Sequence, residues 1–523
     1  MPSEGNAQMM RDQIVQAHIH QKRDEFIADI KKDDVLTLAR SYHNGDSCHF
    51  FKDSVRGSYN ICFFVEFGPP PEQPESGTSG RERWVVRIPL APCLAFGGRS
   101  KLESEVAAMR YIADNTDIPI PKIHAYAIRD DSDPISSFII LEYISGEKLS
   151  WAQLKSLSPA DRESLHTSIA DIYIQLRRLE FPFIGCLTPG PDGIRVGKKT
   201  MSIDINMQEL EGLHPSKIQD SSPNKSSANE HIETLLQIAE NALMKGRSSI
   251  TDERGPEYLY HMSIFRQYAQ EWVDPSLDKG PFVLVHGDFE PQNLIMTKDC
   301  KIAAVVDWEW SRVVPVQLFH PPLWLMEFDA THLAWKTVYD ARLITTFWSF
   351  NNVVRKQEMA RYGQQMLYQE WEKRGKGGGF LVANALTNWT DIDYVSYQYI
   401  NEQCYGGWDD LQSRVGAFME QDPSRRRLVE RRYLDGQAYL AELSSLQDKG
   451  AERDRRFEES PRGRAKESEG PCKDNDTPTT KWFIWRPQNS GLSFSRETLS
   501  CIALSAALLI ASHLLFKSIR SSR

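Results

Sequence analysis

The chain has 523 residues, of which 41% are hydrophobic and 25% charged, and this globular composition excludes a collagenous, mostly disordered or polytopic membrane protein. The formal net charge of −9, without a broad basic stripe, argues against nucleic-acid binding. The eight cysteines are scattered and form no C-x-x-C pair, which indicates reduced thiols in an intracellular protein. The N-terminus carries no apolar core of a secretory signal, so we expect none there.

The first 145 residues predict a small, mainly antiparallel sheet with one inserted helix. Runs rich in β-branched and aromatic residues are typical of strands, and apolar residues on one face are typical of a helix. A Pro/Gly/Ser-rich loop is expected at 68–80. The predicted strands are 59–67, 84–90 and 137–144, and the predicted helix is 101–115. We therefore place a helical extension at 1–44 and a first lobe at 45–145.

From residue 146 the pattern becomes mainly helical. Ser158 followed by Pro159 predicts a helix start, because serine is a good N-cap and proline suits the first helical position. Within this region, 282–289 predicts a strand that runs into a loop, and 293–310 predicts a hairpin. We expect these elements to form a second, larger lobe at 146–446.

The C-terminal region differs in composition. Residues 447–492 are charged, contain Gly and Pro and have few aliphatic side chains, which predicts a disordered linker. Residues 499–516 carry no formal charge and would span roughly 27 Å as a helix, just enough for a hydrocarbon core. We interpret them as a membrane anchor that leaves the globular part facing the cytosol, tail-anchored to an organelle membrane. The alternative is a terminal helix docked on a partner or lying in the membrane interface.

Two motifs, VHGDFEPQN at 285–293 and VVDWE at 305–309, point to phosphoryl transfer. That chemistry needs a carboxylate to orient the acceptor hydroxyl and hard oxygen ligands to hold Mg²⁺ on the phosphates. The predicted hairpin brings Asp307 beside Asn293 as a two-oxygen metal site, and it leaves Asp288 at the loop tip. The alternative is a loop stabilised by an Asx turn and a buried histidine.

The order H-G-D-x-x-x-x-N followed by V-D-W-E resembles the aminoglycoside phosphotransferase and choline kinase family, a branch of the protein-kinase-like fold. The resemblance implies an α+β bilobal fold, with a small antiparallel sheet lobe and a larger helical lobe. It implies that Asp288 is the catalytic base, that Asn293 and Asp307 bind Mg²⁺, and that His286 braces the loop. Gly287, where protein kinases carry arginine, and the absence of Phe-Gly after Asp307 argue against a protein kinase.

The same resemblance implies a nucleotide site in the first lobe. Gly57 and Ser58 form a small-residue turn that lets backbone N–H groups approach phosphate oxygens, although a plain β-turn is the alternative. At the hinge between the lobes, the backbone carbonyl of Glu142 and the backbone amide of Ile144 would bind the adenine edge of ATP.

The sequence departs from the family at the strand lysine that contacts the α- and β-phosphates, because Arg87 stands there. Arginine still pairs with a carboxylate and a phosphate through its planar fork, but its size and reach differ. By resemblance its partner is Glu105 on the following helix, with Glu103 as the register alternative. This departure places the activity in question and leaves the fold as predicted.

The region that the resemblance assigns to the acceptor is aromatic and acidic. Such a wall suits a cationic amine or choline-like head group, whereas the alternative is that these aromatics belong to the core. The residues concerned are Trp308, Glu309, Trp310, Trp324, Glu327 and Asp329. We expect an ATP- and Mg²⁺-dependent phosphotransferase acting on a small-molecule hydroxyl. The alternative is a kinase-like pseudoenzyme that serves as a membrane-tethered binding scaffold. The sequence leaves the acceptor, the choice between ATP and GTP, and the oligomeric state open.

Overall fold

A computed structural model describes residues 10–69, 81–129, 133–197, 199–221 and 225–458, with side chains described as far as residue 447. The chain divides into two compact units at Leu440 and Ala441. The elements that position the candidate site all lie in the first unit. The predicted loop at 68–80 lies outside the described residues from residue 70 onward.

The small lobe of the first unit is built on a five-stranded antiparallel sheet. Its strand order is β1-β2-β3-β5-β4. The strands are β1 (Cys48–Arg56), β2 (Asn60–Phe67), β3 (Arg83–Pro89), β4 (Ile123–Ala127) and β5 (Phe138–Glu142). The three predicted strands correspond to β2, β3 and β5, so their prediction is confirmed. The sequence did not predict β1 and β4, which are the two edge strands.

Three helices accompany this sheet. They are α1 (Gln13–Asp29), α2 (Lys32–Ser41) and α3 (Gly97–Asn115). The predicted helix at 101–115 is confirmed, although it begins four residues earlier, at Gly97. Its predicted apolar face is buried, since Leu102, Val106, Met109 and Ile112 are each no more than 3% exposed. Lys101 and Glu105, one turn apart on α3, are also buried, at 1% exposure each.

The larger lobe is mainly helical, as predicted. The Ser158 hydroxyl accepts a hydrogen bond of 3.2 Å from the Asp161 amide, which confirms the predicted N-cap. Two π-helical segments, at 343–347 and 396–400, join neighbouring helices. The helices are α4 (Trp151–Ser156), α5 (Pro159–Arg178), α6 (Ile203–Leu210), α7 (Pro215–Asp220), α8 (Ala228–Lys245), α9 (Gly255–Trp272), α10 (Ala330–Leu333), α11 (Lys336–Arg342), α12 (Trp348–Tyr362), α13 (Met366–Arg374), α14 (Gly379–Thr387), α15 (Ile392–Val395), α16 (Asn401–Tyr405), α17 (Leu411–Gln421) and α18 (Pro423–Glu458).

Short strands in this lobe carry the two sequence motifs. They are β6 (Glu147–Lys148), β7 (Glu180–Phe181), β8 (Leu187–Gly190), β9 (Gly193–Val196), β10 (Phe282–Val285), β11 (Leu294–Met296), β12 (Ile302–Val305) and β13 (Arg312–Pro315). The predicted hairpin is confirmed as β11 and β12, in which Leu294 faces Val305. The Val306 amide then donates to the Asn293 carbonyl at 3.0 Å, so the register sets Asp307 next to Asn293 in the fold.

The C-terminal predictions are only partly covered. Helix α18 continues to Glu458, so the predicted disordered linker at 447–492 is wrong for its first residues. Seven of the eleven residues there, DKGAERDRRFE, are Arg, Glu, Lys or Ala, which extend a helix readily even when they are charged. The rest of the linker and the candidate anchor at 499–516 lie outside the described residues. Within the described ranges, no helix combines the length and the apolar character needed to cross a bilayer.

Candidate active site

The loop after β10 is fixed to the end of β12 through His286. Its Nε2 lies 2.9 Å from the Val306 carbonyl, and its Nδ1 lies 3.3 Å from the Asp288 amide. Since a carbonyl only accepts and an amide only donates, the imidazole is neutral, with its proton on Nε2. Burial lowers the pKa of His286 to about 4, which keeps it neutral at physiological pH. His286 therefore holds the loop in place as a neutral side chain.

Gly287 is required by its surroundings. Its φ of +85° lies in the left-handed region, and a Cβ there would stand 2.1 Å from the Trp310 carbonyl oxygen. No larger residue fits without moving the backbone that follows Asp307.

Asp288 is the carboxylate at the loop tip. Its Oδ2 accepts a hydrogen bond of 3.0 Å from the Asn293 amide nitrogen, which also donates to the Asp288 carbonyl at 2.9 Å. Burial raises the pKa of Asp288 to about 6, against the stabilising effect of the Asn293 hydrogen bond, and the charges of Asp307 and Glu309 raise it further. The group is therefore suited to accepting a proton near neutral pH.

Asp307 adopts a left-handed backbone, with φ of +67°, immediately after the hairpin. Its Oδ1 accepts a hydrogen bond of 2.6 Å from Nη2 of Arg87, while 35% of its side chain stays accessible. Burial alone would raise the pKa of Asp307, but the cations Arg87, Lys148 and Lys101 bring it below its ordinary value. Asp307 is consequently an ionised carboxylate that remains open to solvent.

A buried ionic network lies behind Asp307. Arg87 on β3 pairs with Glu105 on α3 and, at 2.9 Å, with Glu309. Lys101 also pairs with Glu309, and it donates to the Asn60 side-chain oxygen at 3.2 Å. Glu309 therefore binds two cations, and the network joins a strand and a helix of the small lobe to the loop of the larger one.

Glu103, the register alternative for the Arg87 partner, lies on the surface of α3. It pairs with Arg99 at 3.1 Å, with both side chains partly exposed. The structure thus brings Arg87 together with Glu105, as the resemblance implied. The side-chain nitrogen of Asn60 donates a hydrogen bond of 2.6 Å to Glu309, which further fixes the network.

The oxygen atoms at this site are those that Mg²⁺ prefers. Across the described ranges no group of three or more His, Cys, Asp or Glu side chains is placed to hold a metal. Mg²⁺ on nucleotide phosphates needs only one or two protein oxygens, because phosphates and water complete its shell. The accessible carboxylate of Asp307 fits that role. Asn293 fits it through Oδ1, since its nitrogen is engaged by Asp288.

Of the predicted nucleotide-binding residues of the small lobe, Arg87 and Glu105 belong to the ionic network behind Asp307. The others lie in a turn and in the connection between the lobes. Gly57 and Ser58 form the exposed turn between β1 and β2, and the Gly57 amide donates to the Asn60 carbonyl at 2.8 Å. That amide is therefore used by the turn itself. Glu142 ends β5 with its side chain exposed, and Ile144 follows in the connection to β6.

A cavity of about 520 Å³ opens beside the loop at 286–293, the candidate catalytic loop, and contains Asp288 on its wall. Of the predicted acidic and aromatic wall, Trp324 and Asp329 line it. Trp308 and Trp310 are buried in the core, at 0% and 1% exposure, as the alternative interpretation held. Glu309 belongs to the ionic network described above.

The carboxylate of Glu327, the remaining member of the predicted wall, is also occupied. It pairs with Arg162 and, at 3.0 Å, with Arg342. The cavity therefore offers a cationic head group fewer free carboxylates than the sequence suggested.

Four residues of the site were not identified from the sequence. Lys101 and Asn60 complete the ionic network, and Glu290 and Arg312 line the cavity. The spacing of Lys101 one turn before Glu105 was an available signal. A second signal was the single charged residue of β13, Arg312, in an otherwise apolar strand.

Comparisons with known proteins show what this chain is similar to. Residues 75–317 match the model of the phosphotransferase enzyme family, which confirms the resemblance and the α+β two-lobed fold class. The Clavilactone A biosynthesis cluster protein Y of Ampulloclitocybe clavipes is 27% identical over 245 residues, which make up 45% of this chain and 55% of that protein. Altered inheritance of mitochondria protein 9, mitochondrial, of Zygosaccharomyces rouxii is 27% identical over 286 residues, or 46% of each chain.

The chain thus spans about half the length of the curated relatives it matches. Among solved structures, Plasmodium vivax ethanolamine kinase is 12% identical with a TM-score of 0.36. The alignment covers 75% of this chain and 88% of the kinase.

Proposed function

We propose that this chain, whose residues 75–317 match the phosphotransferase enzyme family, moves the γ-phosphoryl group of ATP to a hydroxyl of a small molecule in the presence of Mg²⁺. One observation carries the proposal. The carboxyl of Asp288, whose burial raises its pKa to about 6, lines a cavity and is bonded to Asn293, while the ionised Asp307 lies beside Asn293 in the fold. A proton acceptor and two metal-ligand oxygens at one point are the parts that phosphoryl transfer requires.

In this mechanism Asp288 orients the acceptor hydroxyl and takes its proton as the oxygen attacks the γ-phosphorus in line. Asn293 and Asp307 would hold Mg²⁺. When bound, Mg²⁺ would neutralise part of the negative charge of the phosphates. Arg87 holds Asp307 in position and steadies the phosphates with its remaining donor capacity. The turn at Gly57 and Ser58 would cover the phosphates without the Gly57 amide, which the turn itself uses, and the backbone of Glu142 and Ile144 would bind the adenine edge.

The test is an acceptor screen with hydroxylated amines, sugars and hydroxy acids, followed by ADP release. We expect acceptor-dependent release that requires Mg²⁺. The Asp288→Ala variant should still bind ATP but lose about 10²–10⁴-fold in turnover, the range of general-base catalysis. Turnover that survived this change would refute the assignment of the base.

A second candidate function is a kinase-like pseudoenzyme that binds partners. The pairing of Arg87 with three carboxylates favours it, because those carboxylates compete with phosphate for the guanidinium. The intact set of Asp288, Asn293 and Asp307 opposes it. ATP at millimolar concentration with Mg²⁺ should raise the melting temperature of a competent nucleotide site by mass action. No shift would favour the scaffold.

We also propose that residues 499–516 anchor the chain in a membrane. Their apolar, uncharged sequence supports this, together with the basic residues that follow it. The relative from Zygosaccharomyces rouxii has the word mitochondrial in its name, which makes mitochondria the first membrane to examine. Carbonate extraction of the full chain and of a chain lacking 499–523 tests the proposal. Equal release of both forms would contradict it.

A further inference from the structure

Arg312 is a buried arginine on the wall of the cavity that contains Asp288. Its side chain is 9% exposed, and its Nη1 donates to the Trp310 carbonyl at 3.3 Å. Over the described ranges, that is the one hydrogen bond of its guanidinium, and no carboxylate oxygen lies within 4.0 Å of it. Arg177 offers a contrast within the same lobe, since it is 3% exposed and pairs with Glu180 at 2.8 Å and Glu370 at 2.7 Å.

The buried guanidinium of Arg312 has no counter-ion in the part of the chain that the structure describes. The guanidinium stays charged at any pH at which the protein folds, so loss of a proton cannot remove the free-energy cost of burying it. A buried charge without a counter-ion destabilises the folded state, because the charge has lost its water without gaining a partner. Burial lowers the pKa of Arg312, and Cys186 and Asp204 oppose this effect only from beyond ion-pair distance.

The carboxyl groups of the cavity do not neutralise Arg312. Asp288 is bonded to Asn293. Asp329 caps α10 and bonds Thr331 at 2.5 Å and His332 at 2.7 Å. Glu290 also lines the cavity, and its carboxylate forms no ion pair with Arg312 within 4.0 Å.

Arg312 lies directly against the catalytic loop. A Cβ built on Gly287, the residue before Asp288, would stand 2.9 Å from Nη1 of Arg312. The cation and the proton acceptor thus line one cavity. Arginine is also the side chain best suited to bind carboxylate or phosphate, because its N–H groups form a planar fork.

We propose that Arg312 is the anion-binding residue of the acceptor site, so that the hydroxyl compound phosphorylated here carries a carboxylate or phosphate group. That the bound anion is the phosphoryl acceptor rests on the proposed function. Anion binding at Arg312 can be tested without any turnover. It replaces the cationic head group that the sequence suggested with a compound of opposite charge.

The experiment measures thermal stabilisation and calorimetric binding by acetate, malonate and inorganic phosphate, with chloride at matched ionic strength as the reference. The full-length protein, Arg312→Met, Arg312→Lys and Glu290→Gln are compared, with and without ADP. We expect at least one of these anions to stabilise the wild type. Arg312→Met should weaken that binding about tenfold or more, Arg312→Lys should retain part of it, and Glu290→Gln should keep or strengthen it.

A second readout separates a binding role from a structural one. Arg312→Met removes an unpaired buried charge, so without added anion it should be at least as stable as the wild type. The matched Arg177→Met variant removes a paired buried arginine and should be clearly destabilised. The proposal is overturned if Arg312→Met loses as much stability as Arg177→Met.

Three other results would also overturn it: no anion stabilises the wild type, Arg312→Met binds anions as well as the wild type, or ADP displaces the anion. The last result would assign the anion to the nucleotide phosphates. Because these measurements need no phosphoryl transfer, failure of the acceptor screen leaves their outcome standing. Failure here leaves the roles of Asp288 and Asp307 unaffected.

Discussion

Nη2 of Arg87, on a strand of the small lobe, lies 2.6 Å from Oδ1 of Asp307, in the loop of the larger lobe that follows the hairpin. The same guanidinium pairs with Glu105 on α3. One buried cation thus couples strand, helix and loop. The carboxylate that we propose as a metal ligand is held ready and ionised by a residue of the other lobe.

Glu105→Gln tests whether this pairing supports the fold. Removing the charge from a carboxylate that is 1% exposed leaves part of the Arg87 charge uncompensated, so we expect a loss of about 2–3 kcal/mol in the free energy of unfolding. Glu103→Gln, two residues away on the same helix, is the matched control. Its exposed pair with Arg99 should contribute within about 0.5 kcal/mol. Equal losses in urea denaturation would contradict the account.

Gly287→Ala tests the close approach of the catalytic loop to Trp310. The added Cβ would meet the Trp310 carbonyl at 2.1 Å, so we expect a loss of about 3 kcal/mol or more in stability and reduced turnover. Gly363→Ala is the control, since its φ is +66° and no atom lies within 4 Å of the new Cβ. It should cost only about 1 kcal/mol, from the left-handed backbone alone. Similar melting temperatures for the two variants would argue against the contact.

The pKa of Asp288 predicts a pH-dependent stability difference. Because the folded-state pKa of about 6 exceeds the ordinary value of 3.8, the ionised carboxylate costs stability above pH 6, and this cost disappears as the pH falls toward 4. Asp288→Asn should therefore be more stable than the wild type by about 1–2 kcal/mol at pH 7.5 and nearly equal to it at pH 4. Denaturation curves at both pH values measure this, and a difference independent of pH would contradict the raised pKa.

The same pKa sets the expected rate profile. A general base works only when ionised, so turnover should reach a plateau above pH 7 and fall about tenfold per pH unit below pH 5. A rate that rises as the medium becomes more acidic would mean that another group accepts the proton.

The sequence predicted those elements of the fold whose own residues carry a continuous apolar or periodic pattern. Strands β2, β3 and β5 and helix α3 carry continuous apolar or periodic signals, and they form as predicted. Strand β1 was missed because its residues from Lys52 to Arg56 are exposed at the edge of the sheet, so they carry no apolar pattern. The charged start of the predicted linker remained helical because charge does not by itself break a helix.

The candidate site shows the same limit. The spacing of Asp288, Asn293 and Asp307 along a predicted hairpin indicated that they would converge, since a hairpin fixes its own register. Which of Glu103 and Glu105 meets Arg87, and where Lys101 points, depend on packing against residues far along the chain, such as Asn60 and Glu309. Likewise, nothing in the local sequence shows that Arg312 lacks a carboxylate partner among the described residues.

The most direct test of the central claim is the Mg²⁺ dependence of ATP binding, measured by calorimetry on the wild type and on Asp307→Ala. We expect Mg²⁺ to strengthen ATP binding to the wild type, and we expect Asp307→Ala to bind ATP with the same affinity whether or not Mg²⁺ is present. Wild-type protein that binds no ATP at millimolar concentration, or an Asp307→Ala variant that keeps the full Mg²⁺ effect, would contradict it.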